Sequence, residues 1–164
     1  MLYIAASGYL AFNASTTWPH QFRPALTIAP NNLIAPYASP LQLAKRGPKN
    51  RVYYKQGGQA PNRYFVVEWN EVLSPLDGGN QGKFTFEAIL YENGNIAFQY
   101  LTMNYGQGSY WCGSAGIEND HGTDGLATTS FCTQVQSNHA VKFTRPAARA
   151  RALFYPHSQG SFTT

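Results

Sequence analysis

The stretch GIENDHGTDG, residues 116–125, gathers two aspartates, a glutamate and a histidine between three glycines. Oxygen ligands of this kind suit calcium, and Asp120 and Asp124 are the calcium candidates. The spacing departs from an EF-hand, which needs D-x-D-x-D-G and a glutamate at the twelfth position. The alternative is turn chemistry, in which Asp and Asn bond their own backbone and Gly122 and Gly125 supply a positive φ. In a simple turn, both aspartates should bond amides of their own loop.

No catalytic constellation is recognisable in the chain. Serine, histidine and aspartate are present, but the G-x-S-x-G nucleophile elbow is absent. Glu68 and Glu87 could form a carboxylate pair on neighbouring strands. Each lies on the polar face of an alternating strand, where a solvated or cross-strand pairing role is expected. The histidines are scattered without metal-ligand spacing, at His20, His121, His139 and His157. We therefore predict that the chain is not an enzyme, and that it has no cofactor unless calcium binds.

A sugar-binding platform is the next candidate. The stretch NYGQGSYW contains Tyr105, Tyr110 and Trp111, and exposed aromatic rings can stack on sugar rings. A large exposed apolar patch needs such a reason. The alternative is structural, because Trp111 precedes Cys112 and could pack on a disulfide formed there.

Cys112 and Cys132 are the only cysteines. Without a C-x-x-C motif or a nearby histidine pair, they suit a disulfide better than a zinc site. A bridge closing that loop stabilises by about 3 kcal/mol and implies an oxidising compartment. Asn13-Ala14-Ser15 is an N-glycosylation sequon, which a surface loop of a secreted protein would expose.

Basic residues give the chain a net charge of +4 and fall into two groups. One group comprises Lys45, Arg46, Lys49, Arg51 and Lys55, and the other comprises Arg145, Arg149 and Arg151. An acidic partner such as nucleic acid or an anionic glycan is one interpretation. A solvated loop and a basic tail are the other. No nucleic-acid motif accompanies either group, and we predict no nucleic-acid partner.

Composition indicates an all-β domain. The 164 residues suit one domain, and 43% are apolar, which is enough for a core. Eleven Tyr and ten Phe favour strands, and fifteen Gly with ten Pro indicate many turns. Only 12% of residues are charged, so uncharged polar side chains must cover much of the surface. No run of 18 apolar residues occurs, and we predict no membrane span.

Alternating apolar residues identify the strands that must position these groups. RYFVVEWNEV is the strongest strand, with Phe65, Val67 and Trp69 on its inward face. KFTFEAILYENGNIAFQYLTM is a hairpin in which Asn93-Gly94 predicts a type I′ turn. LYIAA and YLAFN flank Ser7-Gly8 as either one bulged strand or a tight hairpin.

Short strands every ten or so residues predict an antiparallel β-sandwich, jelly-roll-like, over residues 1–145. Residues 146–164 break this rhythm and form an extended C-terminal tail. The tail contains an apolar patch that includes Leu153, Phe154 and Tyr155. Such a tail is either frayed or held by another surface.

Six stretches carry a resemblance in a fixed order: ASGYLAFN, APNNLIAPY, VYYKQGGQAPNRYFVVEWNEV, FTFEAILYENGNIAFQY, SAGIENDHGTDGL and AVKFT. Together they resemble β-sandwich accessory domains of secreted bacterial peptidases and surface proteins and, more distantly, the nidogen-type extracellular module. The resemblance covers roughly residues 3–144. It implies an extracellular β-sandwich without catalysis of its own, which accompanies a catalytic or adhesive partner.

Two departures from that group have consequences. Its members often carry an acidic, Trp-containing stretch where this chain reads YASPLQLAKRGPKNR, which lacks the carboxylates for a cation site. They also carry a strand before the first motif, whereas this chain begins almost at it. We therefore expect an unpaired sheet edge, which is an aggregation risk unless something fills it.

These observations predict an extracellular structural or interaction module, secreted or on the cell surface. Leu153 and Tyr155 of one copy would enter a groove of the next by strand addition, which builds a fibre or surface array. Its partners would then be other copies or domains of a parent chain. The alternative is a carbohydrate-binding accessory domain of a secreted hydrolase.

Overall fold

The computed structural model describes residues 1–12, 31–43, 49–74, 82–106, 113–129 and 133–146. These ranges contain β-strands and no helix. The strands are β1 (Tyr3–Ala5), β2 (Tyr9–Ala11), β3 (Leu33–Ala38), β4 (Arg51–Gly57), β5 (Tyr64–Leu73), β6 (Lys83–Tyr91), β7 (Ile96–Asn104), β8 (Ser114–Glu118), β9 (Gly125–Thr129) and β10 (His139–Phe143).

Two five-stranded sheets pack face to face, which confirms the predicted all-β antiparallel sandwich. The first sheet has the order β1-β2-β3-β8-β9, and the second has the order β10-β7-β6-β5-β4. We call them the β1–β9 sheet and the β10–β4 sheet. Each described strand pair is antiparallel. Antiparallel sheets commonly bury one face and leave the other to solvent. In the β1–β9 sheet, however, β2 and β3 are buried along their whole length, and Tyr9, Leu33 and Ala35 belong to a second buried cluster.

Alternation along the strands builds the core as the sequence predicted. Val67 and Trp69 of β5 are fully buried, and Phe65 packs against the same cluster. On β6 the core side carries Phe84 and Phe86. The Trp69 and Phe86 rings stack with centroids 5.2 Å apart. Burial of one such side chain contributes about 1.5–3 kcal/mol, so this aromatic layer dominates the packing of the β10–β4 sheet.

Two side chains of the β10–β4 sheet also bond the backbone of the other sheet. The Trp69 indole N–H donates to the Ala5 carbonyl over 2.8 Å. The Tyr100 hydroxyl donates to the Pro36 carbonyl over 2.8 Å and is buried. A buried carbonyl without a donor costs about 1–3 kcal/mol. The two bonds therefore fix the relative position of the sheets as well as satisfying polar atoms.

The predicted β6–β7 hairpin is confirmed, but its type I′ turn is wrong. A type I′ turn needs a positive φ at both central residues, and Asn93 does not have one. The Gly94 amide instead bonds the Tyr91 carbonyl over 2.9 Å, and Gly94 itself has a φ of 85°. The arrangement is a tight turn followed by a left-handed glycine, as in a three-residue hairpin loop.

The β1–β2 segment is a tight hairpin rather than one bulged strand. Gly8 has a φ of 84° and donates its amide to the Ala5 carbonyl over 3.2 Å. Its own carbonyl accepts the Tyr37 amide over 3.3 Å, and the Ser7 carbonyl accepts the Ser39 amide over 3.1 Å. This close backbone approach explains why the sequence reads Ser-Gly between two apolar runs.

The last described strand ends at Phe143, within the sandwich domain predicted for residues 1–145. Residues 147–164 of the predicted tail, with Leu153, Phe154 and Tyr155, lie outside the described residues. Over the ranges given above, no helix has the length and hydrophobicity needed to cross a bilayer.

Candidate functional site

The loop between β8 and β9 is organised by Asn119. Its side-chain oxygen accepts the amides of Thr123 and Asp124 over 3.0 and 3.4 Å, and its side-chain nitrogen donates to the Thr123 hydroxyl over 3.0 Å. Its backbone carbonyl accepts the amides of Asn32 and Gly122 over 2.8 and 3.3 Å. Turn chemistry is therefore present, but the asparagine performs it rather than the two aspartates.

Asp120 and Asp124 are both exposed in this loop. The Asp120 carboxylate lies 2.5 Å from Nδ1 of His121, so it pairs with its sequence neighbour rather than with loop amides. In the described part of the chain, no three His, Cys, Asp or Glu side chains cluster as metal ligands. Calcium binding by Asp120 and Asp124 stays the untested alternative to a turn.

A groove lies beside this loop at one end of the sandwich, and we call it the β9 groove. Its apolar side includes Leu126, which is 59% exposed, and Phe12. The groove encloses about 370 Å³, and Ile96 of the other sheet contributes to it. Glu118 and Asp124 are its acidic members. An apolar groove with carboxylates suits a segment that is apolar and basic.

Tyr105, the first residue of the predicted sugar platform, packs into the structure. Its ring contacts the rings of Tyr37 and Phe84 edge-on at 6.2 and 5.2 Å. Its hydroxyl donates to the Val135 carbonyl over 3.0 Å and accepts the Val135 amide over 2.7 Å. Burial raises the pKa of this phenol above its ordinary value. Tyr110 and Trp111 lie outside the described residues, so the platform stays a prediction.

Cys112, Cys132 and the sequon residue Asn13 also lie outside the described residues. The β8–β9 hairpin lies between the two cysteines in the sequence and gives evidence for the predicted disulfide. Ala115 of β8 lies opposite Thr129 of β9. The chain segments that lead to the two cysteines therefore leave the hairpin at the same end.

We predict that Cys112 and Cys132 are disulfide-bonded in the native protein. Peptide mapping by mass spectrometry without reductant should recover the two as one linked species. Reduction should lower the free energy of unfolding by about 3 kcal/mol, because the open loop regains chain entropy. A Cys112→Ser/Cys132→Ser double variant should match the reduced protein. Two free thiols in the unreduced native protein would contradict the prediction.

A second depression occupies the solvent-facing side of the β10–β4 sheet. Glu68 and Glu87 lie directly opposite each other there, and Glu87 lies opposite Gln99. The depression encloses about 350 Å³, with Leu101 and His139 at its border. The carboxylate pair weighed from sequence therefore exists as a cross-strand pair. Like charges directly opposite each other destabilise a sheet.

The Glu68–Glu87 pair predicts a pH-dependent stability. Burial, and next the charge of Glu68, raise the pKa of Glu87 above its ordinary 4.5. From pH 4.5 up to that raised pKa, the folded protein keeps a proton that the unfolded chain has lost. Stability from this group therefore falls as pH rises through the window. Glu87→Gln should stabilise the protein at pH 7 by a few tenths to about 1 kcal/mol, measured by denaturant unfolding.

Glu92 provides a matched control of opposite sign. Hydrogen bonds from the Arg63 side chain and amide lower its pKa below 4.5. Its contribution to stability is present above pH 4.5 and is lost as pH falls through the lowered pKa. Glu92→Gln should not stabilise the protein at pH 7. If both variants shift stability equally, the change reflects net charge and not the Glu68–Glu87 pair.

Sequence reasoning missed the main surface features. Phe12 follows the short strand β2 and Leu126 lies on the short strand β9. Neither was singled out, because a single exposed side chain on or beside a short strand leaves no periodic signal. The turn alternative named Asp and Asn residues in general and did not single out Asn119, although an Asx residue shortly before Gly and Thr is a turn signal. Glu68 and Glu87 were found, since their positions in alternating strands placed them on one face.

Comparison with known proteins identifies the family. The sequence model of the NIDO-related, or nidogen-related, family matches residues 1–156. No curated protein and no solved structure matches the chain. The family is an extracellular, non-enzymatic type of module. With its two antiparallel sheets and a match over nearly the whole sequence, the chain belongs to the nidogen-related family.

Proposed function

We propose that this domain is a non-catalytic extracellular interaction module that assembles with other copies of itself. The C-terminal tail of one copy adds as an extended strand beside β9 of the next and fills the β9 groove. The observation that carries this proposal is the groove, with the exposed Leu126 beside Asp124. The family match extends to residue 156, so it includes the apolar part of the tail.

The tail has the complementary chemistry. It carries two positive charges, Arg149 and Arg151, followed by an apolar run, and it has no acidic residue. In an extended strand, Leu153 and Tyr155 lie on one face, because side chains alternate with a period of two. That face suits the apolar groove, while the arginines suit the exposed Asp124 carboxylate that lines it. Among the described strands, β9 lies at the edge of its sheet, so its outer backbone groups can pair with an added strand.

The direction of the chain favours a neighbouring copy over the tail's own groove. The Arg145 amide bonds the Asn95 side chain over 3.0 Å, immediately before Ile96 of the groove. To dock on its own copy, the tail would have to reverse within a few residues of this point. Pro146 fixes its own φ and keeps Arg145 extended, which disfavours an immediate reversal. A head-to-tail contact that does not close produces a filament.

Sedimentation of the full chain at increasing concentration tests the assembly. The wild type should grow beyond the 18.1 kDa monomer. A tail variant, Leu153→Asp/Tyr155→Asp, and a groove variant, Leu126→Asp, should each stay monomeric because the apolar contact is lost. Leu101→Asp is the matched control, since Leu101 is equally exposed at 64% but lies on the opposite sheet. It should assemble like the wild type.

Mixing the two monomeric variants separates this mechanism from general stickiness. One intact tail and one intact groove remain in the mixture, so a discrete pair of twice the monomer mass should form and grow no further. A wild type that is monomeric at every concentration would contradict the proposal. A monomer whose tail resists protease, and loses that resistance in Leu126→Asp, would place the tail in its own groove instead.

The alternative function, carbohydrate binding, is tested by a separate experiment. The remaining platform residues are Tyr110 and Trp111, and a glycan array of wild type against Trp111→Ala measures their role. Selective binding that disappears in the variant would favour an accessory domain that accompanies a secreted hydrolase. The same result would leave the tail contact unaffected, so the two functions are measured independently.

A further inference from the structure

The strand β4 forms a long exposed edge of the β10–β4 sheet, at the opposite edge from β10. Five of its seven residues are exposed, from Arg51 to Gln56 with the exception of Val52. Its pairing with β5 is unbroken, from Arg51 opposite Asn70 to Gly57 opposite Tyr64. An edge strand presents a row of outward backbone donors and acceptors. β4 is therefore a regular template for one more strand.

The other edges of the two sheets are shorter or less regular, and β9 is the one that the proposed tail contact occupies. β1 has three residues, β10 has five, and β9 has five with an irregular register against β8. Short length and bulges are the usual devices that protect an edge from unwanted pairing. β4 contains neither a bulge nor a proline. Its remaining protection is charge, which selects partners rather than excluding all of them.

The charged side chains of β4 itself are positive, although Glu68 of the neighbouring strand lies opposite Tyr53 on the same face. The first 67 residues contain no acidic residue, yet they hold seven of the twelve Lys and Arg. Arg51 and Lys55 lie on β4 itself, and Lys49 precedes it; all three are exposed. A second β4 edge would repel this one, and so would the basic tail. An acidic segment would be attracted.

Tyrosines occupy both faces of the same strand. Tyr53 is 44% exposed and Tyr54 is 72% exposed. Because successive side chains alternate, the two rings lie on opposite faces of the sheet edge. The Tyr54 ring is supported by Phe65, with centroids 5.8 Å apart. An added strand would therefore have an aromatic neighbour above and below it, and aromatic cross-strand pairs stabilise a sheet.

We propose that β4 binds an extended acidic segment of a partner protein, which adds as a sixth strand to the β10–β4 sheet. Arg51, Tyr53 and Lys55 share one face at a spacing of two residues. The partner residues opposite them must share the same spacing. The preferred segment is therefore acidic-x-apolar-x-acidic, with the apolar residue on Tyr53 and the acids on the two cations.

Fluorescence anisotropy with the full chain tests this inference directly. The probe is a labelled seven-residue peptide with glutamate at positions 2 and 6 and valine at position 4. One control peptide has the same composition in scrambled order. The other has lysine in place of each glutamate. The patterned acidic peptide should bind more tightly than either. In Arg51→Glu/Lys55→Glu it should lose about tenfold or more in affinity, and the lysine peptide should gain.

Backbone N-methylation of the peptide distinguishes strand addition from charge attraction alone. Methyl groups on the amides of one edge should abolish binding, and methyl groups on the other edge should not, because only one edge faces β4. This arm uses the wild-type chain, so it remains decisive if the charge-reversed variant does not fold. Equal binding of both methylated peptides, or of the scrambled peptide, would overturn the proposal. Self-association of the chain abolished by Lys55→Glu would overturn it in favour of a second copy.

Discussion

Replacing Trp69 with alanine should destabilise the domain by about 3–5 kcal/mol. The side chain is fully buried, stacks on Phe86 and donates to the Ala5 carbonyl of the opposite sheet. The substitution removes the largest side chain of the core and leaves the Ala5 carbonyl with the Gly8 amide as its remaining donor. A loss of this size is a large fraction of the stability of a typical domain. Denaturant unfolding measures it as a lower midpoint.

Two further substitutions separate the contributions of packing and of the hydrogen bond to the effect of Trp69→Ala. Trp69→Phe keeps an aromatic ring on Phe86 but removes the indole donor. Its cost should be smaller than that of Trp69→Ala and should include the lost hydrogen bond between the two sheets. Leu101→Ala removes an apolar side chain that is largely exposed, and its effect should stay within about 0.5 kcal/mol. If Trp69→Ala costs no more than Leu101→Ala, Trp69 does not belong to the core as described.

Replacing Gly8 with alanine should cost about 3 kcal/mol or more, from two causes that add. The φ of 84° is a conformation that alanine adopts with difficulty. A Cβ at this position would also lie 2.0 Å from the Tyr37 carbonyl oxygen. Since the obstacle is backbone, relief requires the β1–β2 hairpin to move away from β3. That movement would weaken the bonds from Tyr37 and Ser39 to this turn.

Gly94 is the matched control for Gly8. Its φ of 85° is almost the same, but an added Cβ would meet the flexible Arg145 side chain at 3.1 Å rather than backbone. Gly94→Ala should therefore cost about 1–2 kcal/mol, which is the conformational part alone. Thermal or denaturant unfolding of the two variants compares them. Equal losses would show that the close approach of Gly8 to Tyr37 contributes nothing.

The surface variants described above concern interactions rather than the core, and their expected effects on stability are smaller. Leu126→Asp and Arg51→Glu/Lys55→Glu change exposed side chains at opposite sides of the sandwich. Each should leave the unfolding midpoint close to that of the wild type. Loss of assembly in one and loss of acidic-peptide binding in the other can then be read as loss of a contact.

Local patterns predicted the sheet faces correctly. The alternation of Phe65, Val67 and Trp69 fixes which side of β5 is buried, because the side-chain period of a strand is two regardless of its partners. The Asn93-Gly94 pair placed the β6–β7 hairpin, since adjacent antiparallel strands need only a short turn. It did not fix the turn type, because a type I′ turn and a three-residue loop can use the same two residues.

Which residues meet across the sandwich depended on the tertiary structure. The acidic loop predicted its own turn from Asx and Gly residues, but the apolar β9 groove beside it joins Phe12, Ile96 and Leu126, which are far apart in the chain. Likewise, the basic run around Arg51 and Lys55 was visible in the sequence, whereas its place on an exposed edge required the strand order. The alternation of side chains along a strand fixes which of its residues face the core, because that alternation follows from local backbone geometry. The order of strands depends on long-range packing, which no local window contains.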